Sequence, residues 1–307
     1  MSEKPTVAVI MSTYNGEKYL AEQLDSILAQ DGVHVELFIR DDGSKDSTRD
    51  ILLSYAERNA NVHLDFGENL GFARSFLTEL AAASGFEYYA FSDQDDVWKP
   101  EKLTTAIEAI KQEESRRGKN IPIVWQSNCF VTDENLNVKR ITVSHRRKRT
   151  IESFILRGHA RGCAMVINTK VKELIKTHGS FPRGHDAIAL MHTYANGGSS
   201  LFDSRAFVYY RQRGNNVSAT QTSWTGIIKT EAQRFYKGRD LGVITAKSLL
   251  DTYGDELAPQ IRKQLTLVAE HKHKFSARLK IVFSPNFSAG ILSVTIIGKL
   301  KALLGWL

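Results

Sequence analysis

The chain has 307 residues, of which 42% are hydrophobic and 24% are charged, and its 41 Lys and Arg against 34 Asp and Glu give a formal net charge of +7. This composition is typical of a folded globular protein and excludes a disordered chain, a collagen and a coiled coil. The length predicts two domains, or one large α/β domain with an appendage. Its two cysteines, Cys129 and Cys163, form no zinc-type cluster and indicate a reducing compartment. The N-terminus has no apolar run behind a basic start, so we expect no signal peptide.

In the first 120 residues, apolar runs alternate with segments of helical period, which is the pattern of βαβ units in a mostly parallel sheet. The predicted strands are Val7–Met11, Val35–Arg40, Val62–Phe66 and Tyr88–Phe91. The predicted helices are Glu17–Gln30, Ile51–Arg58 (capped near Asp46 or Ser47), Gly71–Ala83 and Pro100–Glu114.

After residue 120 the pattern changes to short strands and then to helices. The predicted strands are Ile123–Ser127, Cys129–Thr132 and Val138–Val143 in hairpin-like succession, then Gly162–Asn168, Leu201–Asp203 and Phe207–Arg211. A helix is predicted over His185–Tyr194, and basic amphipathic helices are predicted from Trp224 onward. We therefore divide the chain into a main domain of residues 1–220 and a helical extension of residues 221–307.

The net charge lies in the extension. Residues 1–220 carry 28 basic and 28 acidic side chains, whereas residues 221–307 carry 13 and six. A neutral body with a basic tail predicts an anionic partner for the tail. The apolar stretch Ser288–Leu307 is charged at Lys299 and Lys301 alone, which favours a segment lying in a membrane interface over a full crossing. The alternative is a helix docked on the protein's own core or on a second subunit, which would make a homo-oligomer.

Carboxylates follow two of the predicted strands: Asp41 and Asp42 in one case, Asp93, Asp95 and Asp96 in the other. Ligands of open α/β sheets bind outside the carboxyl ends of the strands. The spacing of Asp93 and Asp95 suits one hard divalent cation, Mg²⁺ or Mn²⁺, because such ions prefer oxygen ligands. The alternative is that these aspartates cap the next helix and flank a turn.

The turn after the first strand, Ser12–Gly16, lacks the glycines of a dinucleotide site, and the chain has no Walker lysine motif. NAD enzymes and P-loop NTPases are therefore disfavoured. A nucleotidyltransferase remains an alternative, although it would normally have a basic, glycine-rich loop at this turn.

Four motifs resemble the family-2 glycosyltransferases of the GT-A fold: MSTYNGEKYLAEQLDSILAQ, IRDDGSKDST, GENLGFARSF and FSDQDDVWKPEKL. The resemblance covers about residues 5–215, and the later segments GHDAIALMH and YYRQRGNNVSA resemble bacterial rhamnosyltransferases of cell-surface polysaccharide synthesis. It implies an α/β fold with a mixed, mainly parallel sheet flanked by helices. It also implies an inverting transfer of a sugar, with L-rhamnose from dTDP-rhamnose favoured, onto a lipid-linked glycan. A UDP-sugar donor for hexosyl or N-acetylhexosaminyl transfer, and a catalytically silent nucleotide-binding scaffold, stay open as alternatives.

The resemblance also implies roles for single residues. The implied nucleotide-binding residues are Thr13, Tyr14, Asn15, Asp42, Asn69, Gly71, Arg74 and Asp93. Asp95, together with Asp93, would ligate Mg²⁺ or Mn²⁺. Asp186 would take the proton from the acceptor hydroxyl, and a helix N-cap is the alternative role for it.

Four further residues are candidate contacts to the diphosphate or the acceptor: Asp96, His185, Arg211 and Arg213. Arg213 stands where relatives often carry histidine, and arginine pairs with phosphate but does not ligate a cation. The location implied is cytoplasmic and peripheral, on the inner face of the membrane. The run Arg146–Arg149 is expected in a solvated loop, with anionic lipid as the alternative contact. A nucleic-acid partner is not expected, because the basic residues lack interleaved aromatics.

Overall fold

The computed structural model of the chain describes residues 4–142, 148–157, 160–176, 184–212 and 240–307. The chain divides into two compact units. The first takes in the described residues of the ranges 1–145, 160–193 and 198–212, and the second those of the ranges 146–159, 194–197 and 213–307. The boundary predicted near residue 220, the helix predicted from Trp224 up to residue 239, Arg213, and Arg146 and Arg147 of the basic run lie outside the described residues.

The first four strands are parallel neighbours in the order β3-β2-β1-β4. They are β1 (Thr6–Thr13), β2 (His34–Asp41), β3 (Val62–Phe66) and β4 (Tyr88–Ser92), and they alternate with the helices α1 (Leu20–Leu28), α2 (Thr48–Arg58) and α3 (Phe72–Ala82). The interior of β1 is almost wholly buried, as expected for a strand covered on both faces. The βαβ pattern predicted from the sequence is confirmed.

The rest of the described sheet contains antiparallel pairs, so the sheet is mixed. After the short strand β5 (Val97–Trp98) and the helix α4 (Lys102–Arg117) come β6 (Ile123–Thr132), β7 (Val138–Ile141), β8 (Met165–Asn168) and β9 (Ser199–Arg211). The order continues β4-β8-β6-β9-β5, with β7 paired to β6. Strand β8 is antiparallel to both β4 and β6, whereas β6 and β9 are parallel.

Three of the sequence predictions need correction here. The two hairpin-like strands around Asn128 are one strand, β6, and the two predicted for β9 are also one. The pairing of β6 with β9 shifts register on either side of Asn128. The Asn128 amide donates to the Ser204 carbonyl and accepts from the Thr142 hydroxyl, so the polar break in the sequence is a bulge within continuous strands. Residues 162–164 form a 3₁₀ turn that precedes β8 rather than its first part.

Among the described residues, the first unit also contains α6 (Thr169–Lys176) and most of α7 (His185–Ala195). The described part of the second unit contains α5 (Ile151–Arg157) and four helices near the C-terminus: α8 (Leu241–Tyr253), α9 (Pro259–Glu270), α10 (Phe275–Phe283) and α11 (Leu292–Leu304). The predicted C-terminal helices are therefore present over residues 240–307. None of the described helices combines the length and the apolar character that a membrane span requires.

Candidate functional site

The loop after β1 is held tightly by the loop after β2. Thr13 is buried, and its hydroxyl donates to Asp41 Oδ1 at 3.0 Å. Asn15 has a φ of 48°, a left-handed conformation that asparagine tolerates. Its N–H donates to Ser44 Oγ at 2.9 Å, and its side-chain oxygen accepts from the Lys45 N–H at 2.8 Å. This arrangement leaves Tyr14, between them, 47% exposed at the carboxyl ends of the strands.

Asp42 is engaged within the protein. Its carboxylate pairs with the Arg40 guanidinium and accepts the N–H groups of Leu70 at 2.8 Å and Gly71 at 2.9 Å. Both charged side chains of the pair are about 95% buried, with exposures of 5% for Arg40 and 4% for Asp42. A carboxylate has about four acceptor positions, so three donors leave Asp42 little further capacity to bind a nucleobase.

The residues predicted to close the other side of the nucleotide lie where α3 begins. Gly71 precedes the helix with a φ of 79°, a conformation that favours glycine. The Asn69 side-chain oxygen accepts the Gly71 N–H at 3.1 Å, and Arg74 in the first turn is exposed. Together with Asp42, these contacts fix the N-terminus of α3 beside the end of β2.

The acidic segment after β4 contains three aspartates in different environments. Asp93 and Asp95 are partly exposed, whereas Asp96 is fully buried. Asp96 Oδ1 accepts the Arg211 N–H at 3.2 Å, and its Oδ2 has no hydrogen-bond partner. Burial and the negative charge of Asp93 raise the pKa of Asp96 well above its usual range, which favours its protonated form.

Asp93 lies close enough to Asp186 for their charges to interact. Burial, followed by the charge of Asp186, raises the pKa of Asp93 to about 6. The structure therefore brings the end of β4 and the start of α7 to the same site, although about 90 residues of sequence separate them.

A buried lysine and two buried cysteines, Lys102, Cys129 and Cys163, lie next to these carboxylates. Lys102 is fully buried. Its Nζ donates to the Cys163 carbonyl at 2.8 Å and lies 3.0 Å from the centre of the Trp98 ring. Burial lowers the pKa of Lys102 to about 7. A hydrogen bond with Cys163 lowers the pKa of the Cys129 thiol to about 7, and the same bond, with burial, raises the pKa of Cys163 well above its usual range. Both cysteines are free and buried.

The oxygen donors of this site fit a hard divalent cation. Among the described residues, single ligand atoms of Asp93, Asp96 and Cys163 lie within 4.8 Å of one another. The buried Asp96 Oδ2 lacks a partner that such an ion would provide. The Cys163 thiol, with its raised pKa, stays neutral and is a poor ligand for Mg²⁺ or Mn²⁺. The compact group contains Asp96 where the sequence spacing predicted Asp95.

Asp186 is the second residue of α7, so it lies inside the helix rather than at its cap position. Its Oδ1 accepts the N–H of Ala187 at 2.7 Å, and the side chain is partly exposed. A Cβ built at Gly184 would lie 2.8 Å from the same oxygen, so the glycine leaves room for the carboxylate.

His185 is buried in an aromatic sandwich. Its ring stacks on Phe76 at 3.9 Å between centroids and lies 4.5 Å from Phe91. Neither ring nitrogen has a hydrogen-bond partner, and burial lowers its pKa to about 4. The imidazole is therefore neutral near pH 7 and packs as an aromatic beside Asp186.

Arg211 ties together three segments of the first unit. Its guanidinium pairs with Glu22, donates to the Glu134 carbonyl at 2.8 Å, and stacks over the Tyr19 ring at 4.4 Å. The side chain is 3% exposed, so in this state it joins β9 to α1. The other arginine predicted to contact phosphate, Arg213, lies outside the described residues.

Three residues of the site were missed by sequence reasoning: Gln94, Lys102 and Cys163. Gln94 stands inside the acidic motif but pairs with the backbone of Tyr14, 80 positions earlier. The position of Lys102 near the start of an amphipathic helix indicates a solvated charge, and only the tertiary structure shows its burial. The sequence shows Cys163 as a cysteine in an apolar segment, and it gives no signal of what this residue contacts.

Comparison with known proteins assigns the chain to a family. The sequence pattern described as Glycosyl transferase family 2 matches residues 8–167. An uncharacterized glycosyltransferase of Nostoc sp. is 40% identical over 106 residues, which are 34% of this chain and 33% of that protein. The chain thus spans only a third of the length of that relative.

A longer alignment and a structural likeness extend the comparison. The dTDP-rhamnosyl transferase RfbG of Shigella flexneri is 26% identical over 230 residues, which are 70% of this chain and 75% of that protein. The crystal structure of S. aureus TarS residues 1–349 in complex with UDP-GlcNAc superposes with a TM-score of 0.59 at 19% identity, covering 97% of this chain and 81% of that one. This likeness shows the fold, which is of the GT-A type.

Proposed function

The chain belongs to glycosyltransferase family 2, and we propose that it is an inverting, divalent-metal-dependent transferase that moves L-rhamnose from dTDP-rhamnose onto a lipid-linked glycan. The observation that carries this proposal is that Asp93, after β4, and Asp186, in the first turn of α7, are both partly exposed and lie close enough for their charges to interact. Asp93 suits the diphosphate of the donor, and Asp186 suits the hydroxyl of the acceptor. A glycosidase would instead need two carboxylates flanking one glycosidic bond.

In this proposal Asp186 is the general base. It accepts the proton of the acceptor hydroxyl while that oxygen attacks the anomeric carbon and the bond to the nucleotide diphosphate breaks on the opposite face. The Gly184 backbone leaves the carboxylate room to reach its substrate. His185, neutral and wedged between aromatic rings, fixes the first turn of the helix that carries the base.

Asp93, with Asp95 or Asp96 beside it, would hold the Mg²⁺ or Mn²⁺. When bound, such a cation supplies positive charge for the departing diphosphate. Asp93 suits this role because burial and the Asp186 charge disfavour its ionised form in the free protein, and a cation relieves that cost.

Rhamnose is proposed because of RfbG, whose name gives dTDP-rhamnosyl transfer and whose alignment covers 70% of this chain. The test is a thermal-shift and hydrolysis screen with Mn²⁺ against dTDP-rhamnose, UDP-glucose, UDP-galactose and UDP-N-acetylglucosamine. A donor present at about 100 times its dissociation constant stabilises the native state by about 2.7 kcal/mol. Metal-dependent stabilisation and slow hydrolysis with dTDP-rhamnose alone are expected. The same response to a UDP-sugar instead would refute the rhamnose assignment, and no response to any donor would refute the enzyme.

We also propose that the second unit binds an anionic membrane surface, where a lipid-linked acceptor is confined. Helices α10 and α11 each expose an apolar stripe. The stripe of α10 consists of Phe275, Leu279 and Phe283, and that of α11 consists of Leu292, Ile296, Leu300 and Leu304. Residues 271–307 contain six Lys and Arg and no Asp or Glu. Apolar stripes with cationic neighbours match anionic lipid, whereas two copies of such a surface would repel each other.

Vesicle sedimentation tests this second proposal. Wild-type protein is expected to bind phosphatidylglycerol vesicles more tightly than phosphatidylcholine vesicles. The double variant Phe283→Ser/Leu292→Ser, which alters side chains that are 79% and 77% exposed, should lose most of that binding. Leu53→Ser on α2, where the side chain is 48% exposed, is the matched control. Equal binding by the double variant, or concentration-dependent dimerisation without lipid binding, would contradict the proposal.

A further inference from the structure

Gln94 lies between two of the aspartates of the acidic segment, yet its side chain binds the loop after β1. Its Oε1 accepts the N–H of Tyr14 at 2.8 Å, and its Nε2 donates to the carbonyl of the same residue at 3.1 Å. The planar amide thus pairs with both backbone groups of Tyr14. Because one contact is a donor and the other an acceptor, the pair resists both separation and sliding of the two segments.

Gly16 makes this approach possible. A Cβ built on Gly16 would lie 2.5 Å from Gln94 Oε1 and 2.8 Å from its Cδ. Any side chain at this position would therefore displace the Gln94 amide. The displaced group is the end of a flexible, partly exposed side chain, so the fold itself would lose little.

The loop after β1 is anchored separately on its other side. Asn15 donates to Ser44 Oγ, and the Gly16 N–H donates to Thr48 Oγ1 at 2.7 Å. These bonds connect the loop to the segment after β2 and do not involve Gln94. Loss of the Gln94 contact would consequently leave the loop folded but remove a direct link to the acidic segment.

We propose that Gln94 is a positioning residue that holds the nucleotide loop (residues 13–16) and the acidic loop (residues 93–96) at one spacing. The inference rests on the proposed function, in which the first loop contacts the nucleoside and the second the diphosphate with its cation. A nucleoside diphosphate that touches both loops then binds without first having to order them relative to each other. A ligand that touches only the nucleotide loop gains nothing from the link.

This difference defines the test. The affinities of wild type and variants are measured for dTDP with Mn²⁺, which spans both loops, and for dTMP in EDTA, which depends mainly on the first. Gln94→Ala removes the pair. Gln94→Glu keeps the shape but places a carboxylate oxygen against the Tyr14 carbonyl. Gln112→Ala, an exposed glutamine truncation on α4, is the matched control.

Gln94→Ala is expected to weaken dTDP–Mn²⁺ binding about 3- to 10-fold, the effect of one or two net hydrogen bonds and lost preorganisation. Its dTMP affinity should stay within about twofold of wild type, since the nucleotide loop remains anchored. In turnover, KM for the donor should rise with little change in kcat, because uniform binding is lost rather than transition-state binding. Gln94→Glu should show the same loss of dTDP–Mn²⁺ affinity as Gln94→Ala, and Gln112→Ala should have the affinities of wild type.

Gly16→Ala provides an independent route to the same state. It should reproduce the Gln94→Ala defect, and the double variant should be no worse than either single variant, because both changes break one contact. Unchanged dTDP–Mn²⁺ affinity in Gln94→Ala, an equal loss of dTMP affinity, or additive defects in the double variant would overturn the inference while leaving the proposed function intact. Failure of the wild type to bind any nucleotide would instead overturn the proposed function, and the inference with it.

Discussion

Asp42→Asn is expected to destabilise the protein even when no nucleotide is present. In the structure the Asp42 carboxylate neutralises Arg40 and accepts two backbone N–H groups at the start of α3. Asparagine removes the negative charge and leaves the Arg40 guanidinium, which is 5% exposed, without its buried counter-ion. Breaking a buried ion pair from one side costs about 3–5 kcal/mol.

The control is the second acidic partner of the same arginine. Asp65 Oδ2 lies 3.2 Å from Arg40 Nε, but the Asp65 side chain is 51% exposed. Solvent screens such a contact, so Asp65→Asn should cost at most about 1 kcal/mol. The two variants therefore change the same charge type next to the same arginine and differ in burial.

Urea unfolding of the ligand-free proteins, followed by intrinsic fluorescence, measures both costs. A lower midpoint at an unchanged m-value reports a stability change rather than a change in the unfolded state. If Asp42→Asn costs less than about 1 kcal/mol, as Asp65→Asn should, the carboxylate is not a structural anchor. A nucleobase contact would then be its main role, as the resemblance to family 2 implied.

Two further predictions concern α3 and the packing around α7. Burial, with the charge of Asp65, raises the pKa of Glu79 to about 7, so the folded protein binds a proton that the unfolded chain releases near pH 4.5, and stability should fall as pH rises from 5 to 8. Glu79→Gln should therefore stabilise the protein by about 2–3 kcal/mol more at pH 8 than at pH 5 in urea unfolding. Parallel pH profiles for wild type and Glu79→Gln would contradict this expectation. Gly162→Ala places a Cβ 2.5 Å from His185 Nε2 and should lower the free energy of unfolding by about 1–3 kcal/mol through overpacking. Adding His185→Ala to the same chain should largely remove that cost in urea unfolding. A Gly162→Ala variant as stable as wild type would show that the histidine is not held there.

The sequence predicted the parallel half of the sheet because its strands are continuous apolar runs. Strand β3 has the predicted bounds, and β1, β2 and β4 extend by one or two residues at their ends. The paired strands β6 and β9 were each predicted as two, because a bulge around Asn128 places polar residues inside them. Local patterns do not show that such a break is bridged by side chains from distant segments.

The sequence identified the acidic residues, and their roles stay predictions. Asp93, Asp95 and Asp96 follow β4, whereas Asp186 lies in the first turn of α7, close enough to Asp93 for their charges to interact. Burial is what the sequence could not supply: Asp96 and Lys102 are enclosed by a turn at Cys163 that lies over 60 residues further along the chain. The pairing of Gln94 with Tyr14 is likewise a contact between loops, and no spacing rule predicts it.

The most direct test of the account is the rate of sugar transfer by Asp186→Asn compared with wild type, with nucleotide affinity measured on the same samples. Asparagine keeps the size and an oxygen for the Ala187 N–H but cannot act as a base. Transfer is expected to fall by about 10²–10⁴-fold, while the variant still binds the nucleotide diphosphate with metal, because Asp186 is not among the proposed nucleotide or metal ligands. Transfer within a few-fold of wild type would show that Asp186 is not the base, and with it the proposed division of labour between Asp93 and Asp186 would fail.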